Sequence, residues 1–238
     1  MVAQETALVL GNSDGIGLAI TKQLLERGFR VVGLSRSPSP VASERYEHTV
    51  VDVTAPAFSS ALQNVIAGLP RIHHVIYCVG VGGRASLENL EQDVRVFDVN
   101  LMAALRCAAI LLPRLHAWGG GRFIVLSSQA DGIINPEAPS YTASKAALSL
   151  YFEGLGLKLR RTGVQICNVR FGFVETKMAR AGIQPFRIST DEAALRVIRL
   201  LSGRIPLRVT YPRRARLFVL PIAWIQRARV ALARGPRG

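Results

Sequence analysis

The sequence predicts an α/β fold, a doubly wound parallel sheet of seven strands with helices on both faces. Three observations predict it. Short runs rich in Val, Ile and Leu alternate with segments of helical period from the start of the chain, as βα repeats do. A glycine-rich turn follows the first run at once. The 238 residues suit one large α/β domain, with no break in composition before an arginine-rich end.

Strands are expected at residues 6–10, 30–35, 49–51, 74–78, 122–127, 165–171 and 207–211, mostly bounded by Gly, Pro, Asp or Ser. A helix over 16–27 stops at Gly28, a suitable C′ residue. A longer one over 93–112 is ended by Pro113, another fills 140–161, and one over 191–201 takes Ser189 or Thr190 as its cap. The body then spans 1–211, and 212–238 form an Arg-rich extension.

A hydrophobic fraction of 49% with positive mean hydropathy excludes a disordered chain, because enough apolar surface is available to offset the entropy of ordering. The longest apolar stretch, 217–225, contains Pro221 and is about half of the ~20 residues that a membrane span needs, so no transmembrane helix is expected. Residues 1–6 lack the basic region of a secretory signal, which predicts a cytoplasmic protein. Cys78, Cys107 and Cys167 are widely spaced and read as buried reduced thiols, and no metal site is expected. Net charge is +14 and is concentrated: from Arg204 onward there are nine arginines and no acidic residue.

The first strand runs directly into Gly11-Asn-Ser-Asp-Gly15-Ile16-Gly17 and then a helix. One glycine allows the tight turn, one lets backbone approach a pyrophosphate, and one lets helix and strand pack closely, while helix N–H groups receive the anion. This predicts a Rossmann-type dinucleotide site with Gly11, Ser13, Asp14, Gly15, Ile16 and Gly17 as candidate contacts. Asp14 stands where its charge would repel a phosphate. The second strand ends Gly33-Leu34-Ser35-Arg36, at the residue that meets the adenosine ribose. An acidic residue there favours a free 2′-hydroxyl, whereas the planar fork of an Arg pairs with a 2′-phosphate. Arg36 therefore points to NADP(H) in preference to NAD(H), the alternative being one more solvated Arg in a basic protein.

The spacing Gly-x-x-x-Gly-x-Gly resembles that of the short-chain dehydrogenase/reductase family. Tyr141-Thr-Ala-Ser-Lys145 is similar to that family's Tyr-x-x-x-Lys, Ser128 stands thirteen residues before the Tyr as the family's catalytic Ser does, and Asn100 looks like its fourth catalytic residue. On a helix, positions i and i+4 share a face, so the Lys145 ammonium is expected beside the Tyr141 phenol. A free phenol has a pKa of about 10, and a close positive charge is expected to lower it. Ser128 then hydrogen-bonds the substrate oxygen where charge develops, and Tyr141 donates the proton. The resemblance implies that Lys145 also binds the nicotinamide ribose and that Asn100 holds a water of a proton relay.

The resemblance covers about residues 5–200. It implies that Asp52 and Val53 meet adenine, and that Gly172, Val174 and Thr176 line the nicotinamide amide and diphosphate. Val79 and Gly80, after the fourth strand, are also implied cofactor contacts, where the family's Asn-Asn-Ala-Gly is replaced by Tyr77-Cys-Val-Gly80; Leu10 replaces a common Thr before the turn. Phe171 replaces a common Pro, and its ring packs near the nicotinamide or in the core. A homodimer or homotetramer is also implied.

Residues 172–190 match the family's substrate lid. Met178, Ala179, Ile183, Pro185 and Phe186 give it an apolar inner face for a hydrophobic carbonyl or alcohol, or else pack the lid down. The expected activity is NADP(H)-dependent hydride transfer; the alternatives are an NAD-dependent alcohol dehydrogenase and a non-catalytic cofactor-binding scaffold that uses the basic tail. In that tail, Pro221 is expected to start a short helix with Ile222, Trp224, Ile225 and Ala228 beside Arg227 and Arg229. Such a segment suits peripheral contact with an anionic membrane, a solvated end, or a partner subunit, and no motif for specific nucleic acid accompanies it.

Overall fold

The computed structural model describes residues 4–178 and 184–232. Ala179 and Ile183 of the expected lid, and the residues beyond 232, lie outside the described residues. Seven strands form one sheet: β1 (Thr6–Leu10), β2 (Arg30–Ser35), β3 (Tyr46–Val50), β4 (His74–Tyr77), β5 (Gly121–Ser128), β6 (Val164–Phe171) and β7 (Arg208–Tyr211). Their spatial order is β3-β2-β1-β4-β5-β6-β7, and every pairing is parallel. Central strands of such a sheet are covered on both faces and become continuous apolar runs, as in β1 and β4, where every residue is buried.

The helices are α1 (Gly15–Glu26), α2 (Phe58–Ala67), α3 (Glu91–Phe97), α4 (Ala103–Ala117), α5 (Pro139–Lys158), α6 (Thr190–Ile198) and α7 (Arg216–Leu232). They divide the core in two. On one face Leu62 of α2, Leu111 of α4 and Phe152 of α5 pack with Leu8 and Phe123 of the sheet. On the other, Ile20 and Leu24 of α1 and Val197 of α6 pack with Val9, Ile124 and Val169. The chain winds outward in both directions from the β1–β4 junction, which leaves a crevice at the carboxyl ends of those two strands.

Several boundaries differ from expectation for local reasons. The third strand starts at Tyr46 instead of residue 49, because an edge strand paired only to β2 tolerates polar residues such as Glu47 and His48. Pro113 does not end its helix: α4 continues to Ala117, since burial of Leu111, Leu112 and Leu115 outweighs one missing backbone bond. Helix α2 was not anticipated, although Phe58, Leu62 and Ile66 repeat at helical spacing and are buried. Pro221 likewise lies inside α7 instead of starting it.

Residues 91–117 are helical throughout, through a π-helical turn at Asp98–Met102. This stretch is long and apolar enough to cross a membrane by length and composition, yet half of it is buried within the protein and it carries Asn100, fully buried. It is a core helix of the sheet.

Candidate active site

The crevice is framed first by the glycine turn. Gly11 sits at φ +82°, and a Cβ on it would lie 2.9 Å from the Val79 backbone nitrogen, so β1 and β4 open against each other only with glycine there. A Cβ on Gly17 would lie 2.1 Å from the Gly11 carbonyl oxygen, so α1 can start this close to the strand only without a side chain. Ser13 and Ile16 are half-buried around the turn, and Ile16 packs against the α1 core.

Asp14 caps α1 by accepting from the Gly15 N–H at 2.8 Å and pairs with Lys177 at 2.6 Å, so its carboxylate is engaged by a helix start and a cation. Thr176 hangs over the turn, with its Cγ2 3.5 Å from where a Gly15 Cβ would stand. A polar cleft of about 970 Å³ opens here, lined by Asp14, Gly15, Lys22, Thr176, Lys177 and Arg187 among others.

At the carboxyl end of β2, Arg36 is exposed just beyond the strand. Asp52 accepts from the Thr54 N–H at 2.9 Å and its hydroxyl at 2.7 Å; these bonds, with the charges of Arg36 and Arg95 nearby, hold its carboxyl below the usual range. Behind the turn a polar chain tightens the same corner. The Asn12 amide donates to the Tyr46 hydroxyl at 2.6 Å, and that hydroxyl is 2.8 Å from His48 Nδ1. Sequence reasoning missed this chain, because it joins the turn after β1 to β3 through space.

The side chains of Val53 and Phe171 both belong to the core, at 6% and 3% exposure. Phe171 lies in the core cluster that also holds Val174 and Ile188, with Tyr211 packed against it. Val174 bridges to Ile188, and the Gly172 N–H donates to the Tyr211 carbonyl at 2.9 Å. Met178 reaches the loop after β4, its Cγ 3.5 Å from the Cβ position of Gly82, whereas Pro185 and Phe186 are exposed.

The four proposed catalytic residues converge beside this frame. The π-helical turn carries Asn100, whose amide is locked by three bonds: Oδ1 accepts from the Val81 N–H at 2.7 Å, and Nδ2 donates to the Val81 carbonyl at 2.9 Å and to Ser144 Oγ at 3.0 Å. Ser128 ends β5 and caps the next turn by accepting from the Ala130 N–H at 3.1 Å, close enough to Tyr141 to act on its phenol. Lys145, one turn along α5, is 5% exposed and donates from Nζ to the Leu126 carbonyl at 3.0 Å. A Cβ on Gly80 would lie 3.3 Å from Lys145 Nζ and 3.5 Å from Asn100 Oδ1, so the end of β4 meets both residues.

The electrostatics correct one expectation. The Tyr141 phenol is pushed up from its ordinary value, chiefly by loss of water, and further by the charge of Asp131, against the lowering effect of Ser128. Lys145 does not offset this, because its ammonium is turned to the Leu126 carbonyl and burial lowers its own pKa to about 8.

Sequence reasoning also missed an ion pair behind the site. Arg170, inside β6, pairs with Asp131, three residues past Ser128, at 14% and 5% side-chain exposure. Ser149 donates to the second Asp131 oxygen at 2.6 Å, and Ser127 is 2.8 Å from Ser149. The one legible signal was a charged residue within a buried parallel strand.

Residues 5–184 match the model of the short chain dehydrogenase family. The chain belongs to this family, and is thereby an oxidoreductase of the kind that uses a nicotinamide cofactor. It is 27% identical over 208 residues to a 3-oxoacyl-[acyl-carrier-protein] reductase of Salmonella typhimurium, covering 84% of this chain and 83% of that one. It is 29% identical over 209 residues to an NADPH-dependent aldehyde reductase of Arabidopsis thaliana, covering 76% of each. A short chain dehydrogenase from Burkholderia cenocepacia in complex with NADP superposes with a TM-score of 0.83 at 25% identity over 98% of both chains.

Proposed function

We propose that the protein is an NADPH-preferring carbonyl reductase, reversible in principle, acting on an apolar ketone or aldehyde. The observation that carries this reading is the placement of Ser128 at the end of β5 near Tyr141, with buried Lys145 one turn further along α5, at the strand ends that the glycine turn leaves open. The residues fit a nicotinamide dinucleotide: backbone and Thr176 surround the turn, Arg36 faces solvent where a 2′-phosphate would lie, and Gly80 leaves room between Lys145 and Asn100. When bound, that cofactor supplies the hydride.

Tyr141 holds the proton and delivers it to the carbonyl oxygen; a phenol pushed up by burial stays protonated at neutral pH, as a donor must. Ser128 donates to the same oxygen as charge develops on it. Lys145 orients the ribose, and Asn100 and the Val81 backbone hold the adjoining turn of helix. Residues 172–190 serve as the substrate lid of a body spanning 1–211, with 212–238 as an extension; Met178 against the loop after β4 supports an apolar inner face. NADP preference is supported by Arg36, by the NADPH-dependent relative and by the NADP-bound neighbour. A cytoplasmic setting is supported by three free cysteines, whose thiols burial pushes up.

The test is NADPH oxidation across a panel of apolar ketones and aldehydes. Tyr141→Phe is expected to lower turnover by about 10²–10⁴-fold while leaving NADPH affinity unchanged. A variant as fast as wild type would remove Tyr141 from the chemistry.

A further inference from the structure

Helix α7 is amphipathic in the reverse sense for a surface helix. Its half-buried residues Val219, Ala223 and Gln226 face the body, and Gln226 Oε1 accepts from the Ile134 N–H at 2.9 Å. The opposite face carries the exposed residues Leu217, Pro221, Trp224, Ile225 and Leu232, with half-buried Ala228 between the last two, which makes one stripe along about 22 Å of helix. Leu217, Trp224 and Leu232 are 74%, 74% and 79% exposed. Arg227 and Arg229 border the stripe on either side, and Arg213 and Arg214 stand exposed before its start. Solvent-facing apolar residues at this density mark a contact surface.

We propose that this stripe seats the protein on an anionic phospholipid surface, with α7 lying in the interface. The charge selects the occupant. From Arg204 onward the sequence has nine arginines and no acidic residue, so a second copy docked stripe to stripe would set arginine against arginine. An anionic headgroup layer instead pairs with the bordering arginines while the apolar residues and the exposed Trp enter the acyl boundary. At 17 residues α7 lies along the surface and does not cross it. It rests against the Gln129–Gly132 turn that follows Ser128, and Gln129 Nε2 donates to the Pro212 carbonyl at 3.2 Å. A docked α7 therefore holds the carboxyl end of β5 close to the lipid, where an apolar substrate would concentrate. Docking itself needs neither cofactor nor turnover, so it is tested independently of the catalytic reading.

The experiment is co-sedimentation of the full chain with vesicles of phosphatidylcholine alone and of phosphatidylcholine with phosphatidylserine. A Trp118→Phe background makes Trp224 the sole indole fluorophore. Binding to the phosphatidylserine vesicles only, release by salt, and a blue shift of Trp224 emission are expected. Arg227→Ala with Arg229→Ala should weaken partitioning about 30-fold, the conversion of ~1 kcal/mol per arginine near an anionic surface. Leu217→Glu with Trp224→Glu should abolish it, with circular dichroism and NADPH affinity as controls for folding. Failure of the wild type to bind, or undiminished binding by the Leu217→Glu/Trp224→Glu variant, overturns the proposal. So does a smaller assembly of that variant in the absence of lipid, because the stripe would then join copies of the chain.

Discussion

Asp131 and Arg170 place opposite charges behind the Ser128 turn, both largely out of water. Removing one partner leaves the other buried and uncompensated, so Asp131→Asn is expected to lower stability by about 3–5 kcal/mol in urea unfolding. Adding Arg170→Met should restore much of it, and a simple sum of two losses would contradict a coupled pair. Lys145 is also readable by titration. Burial holds it at about 8 against an ordinary 10.5. Between those values the folded protein has shed the proton and the unfolded chain keeps it, so wild-type stability rises with pH across that window. Lys145→Met lacks this gain. In thermal melts, wild type minus variant should increase from pH 8 to 10.5, and a flat or falling difference would place the ammonium in water. Tyr141, Lys145 and Ser128 were legible because they stand within eighteen residues in one motif. Asp131 and Arg170 were not, because their pairing exists only once β5 and β6 lie side by side.

Helix α5 carries Tyr141 and Lys145 on its inner side and a row of apolar residues on its outer one. Leu150, Tyr151 and Leu157 are 73%, 41% and 51% exposed, with Leu150 and Leu157 seven residues apart on one stripe. Such a face suits a homo-oligomeric contact. Sedimentation velocity should find an assembly that Leu150→Glu with Leu157→Glu reduces to monomer; a monomeric wild type would leave that face without this role. Strands were readable where both faces are buried, as in β1 and β4, because composition alone marks them. The edge strand β3 was shortened by its Glu and His. Pro113 and Pro221 were given the weight of helix ends, although packing carries the helix past Pro113 and backbone helicity continues past Pro221. Local propensity decides boundaries only where tertiary burial does not.

The molecule as a whole gathers its site from segments far apart in sequence. The glycine turn after β1, the Cys78–Gly80 loop after β4, Ser128 at the end of β5, and Gly172 after β6 lie at one edge of the sheet because parallel strands all point their carboxyl ends the same way. The order of these motifs along the chain was therefore enough to foresee the crevice, whereas the Asn12–Tyr46–His48 chain and the outward stripe of α7 depend on how finished elements pack. The proposed function requires this crevice to hold a nicotinamide dinucleotide with its 2′-phosphate at Arg36. The direct test is calorimetric titration of NADPH and NADH into wild type and Arg36→Ala. Tighter binding of NADPH is expected, with a loss of about 10- to 100-fold in the variant for NADPH alone, the worth of a hydrogen bond to a charged group. Equal affinity for the two cofactors would remove Arg36 from recognition, and binding of neither would contradict the site itself.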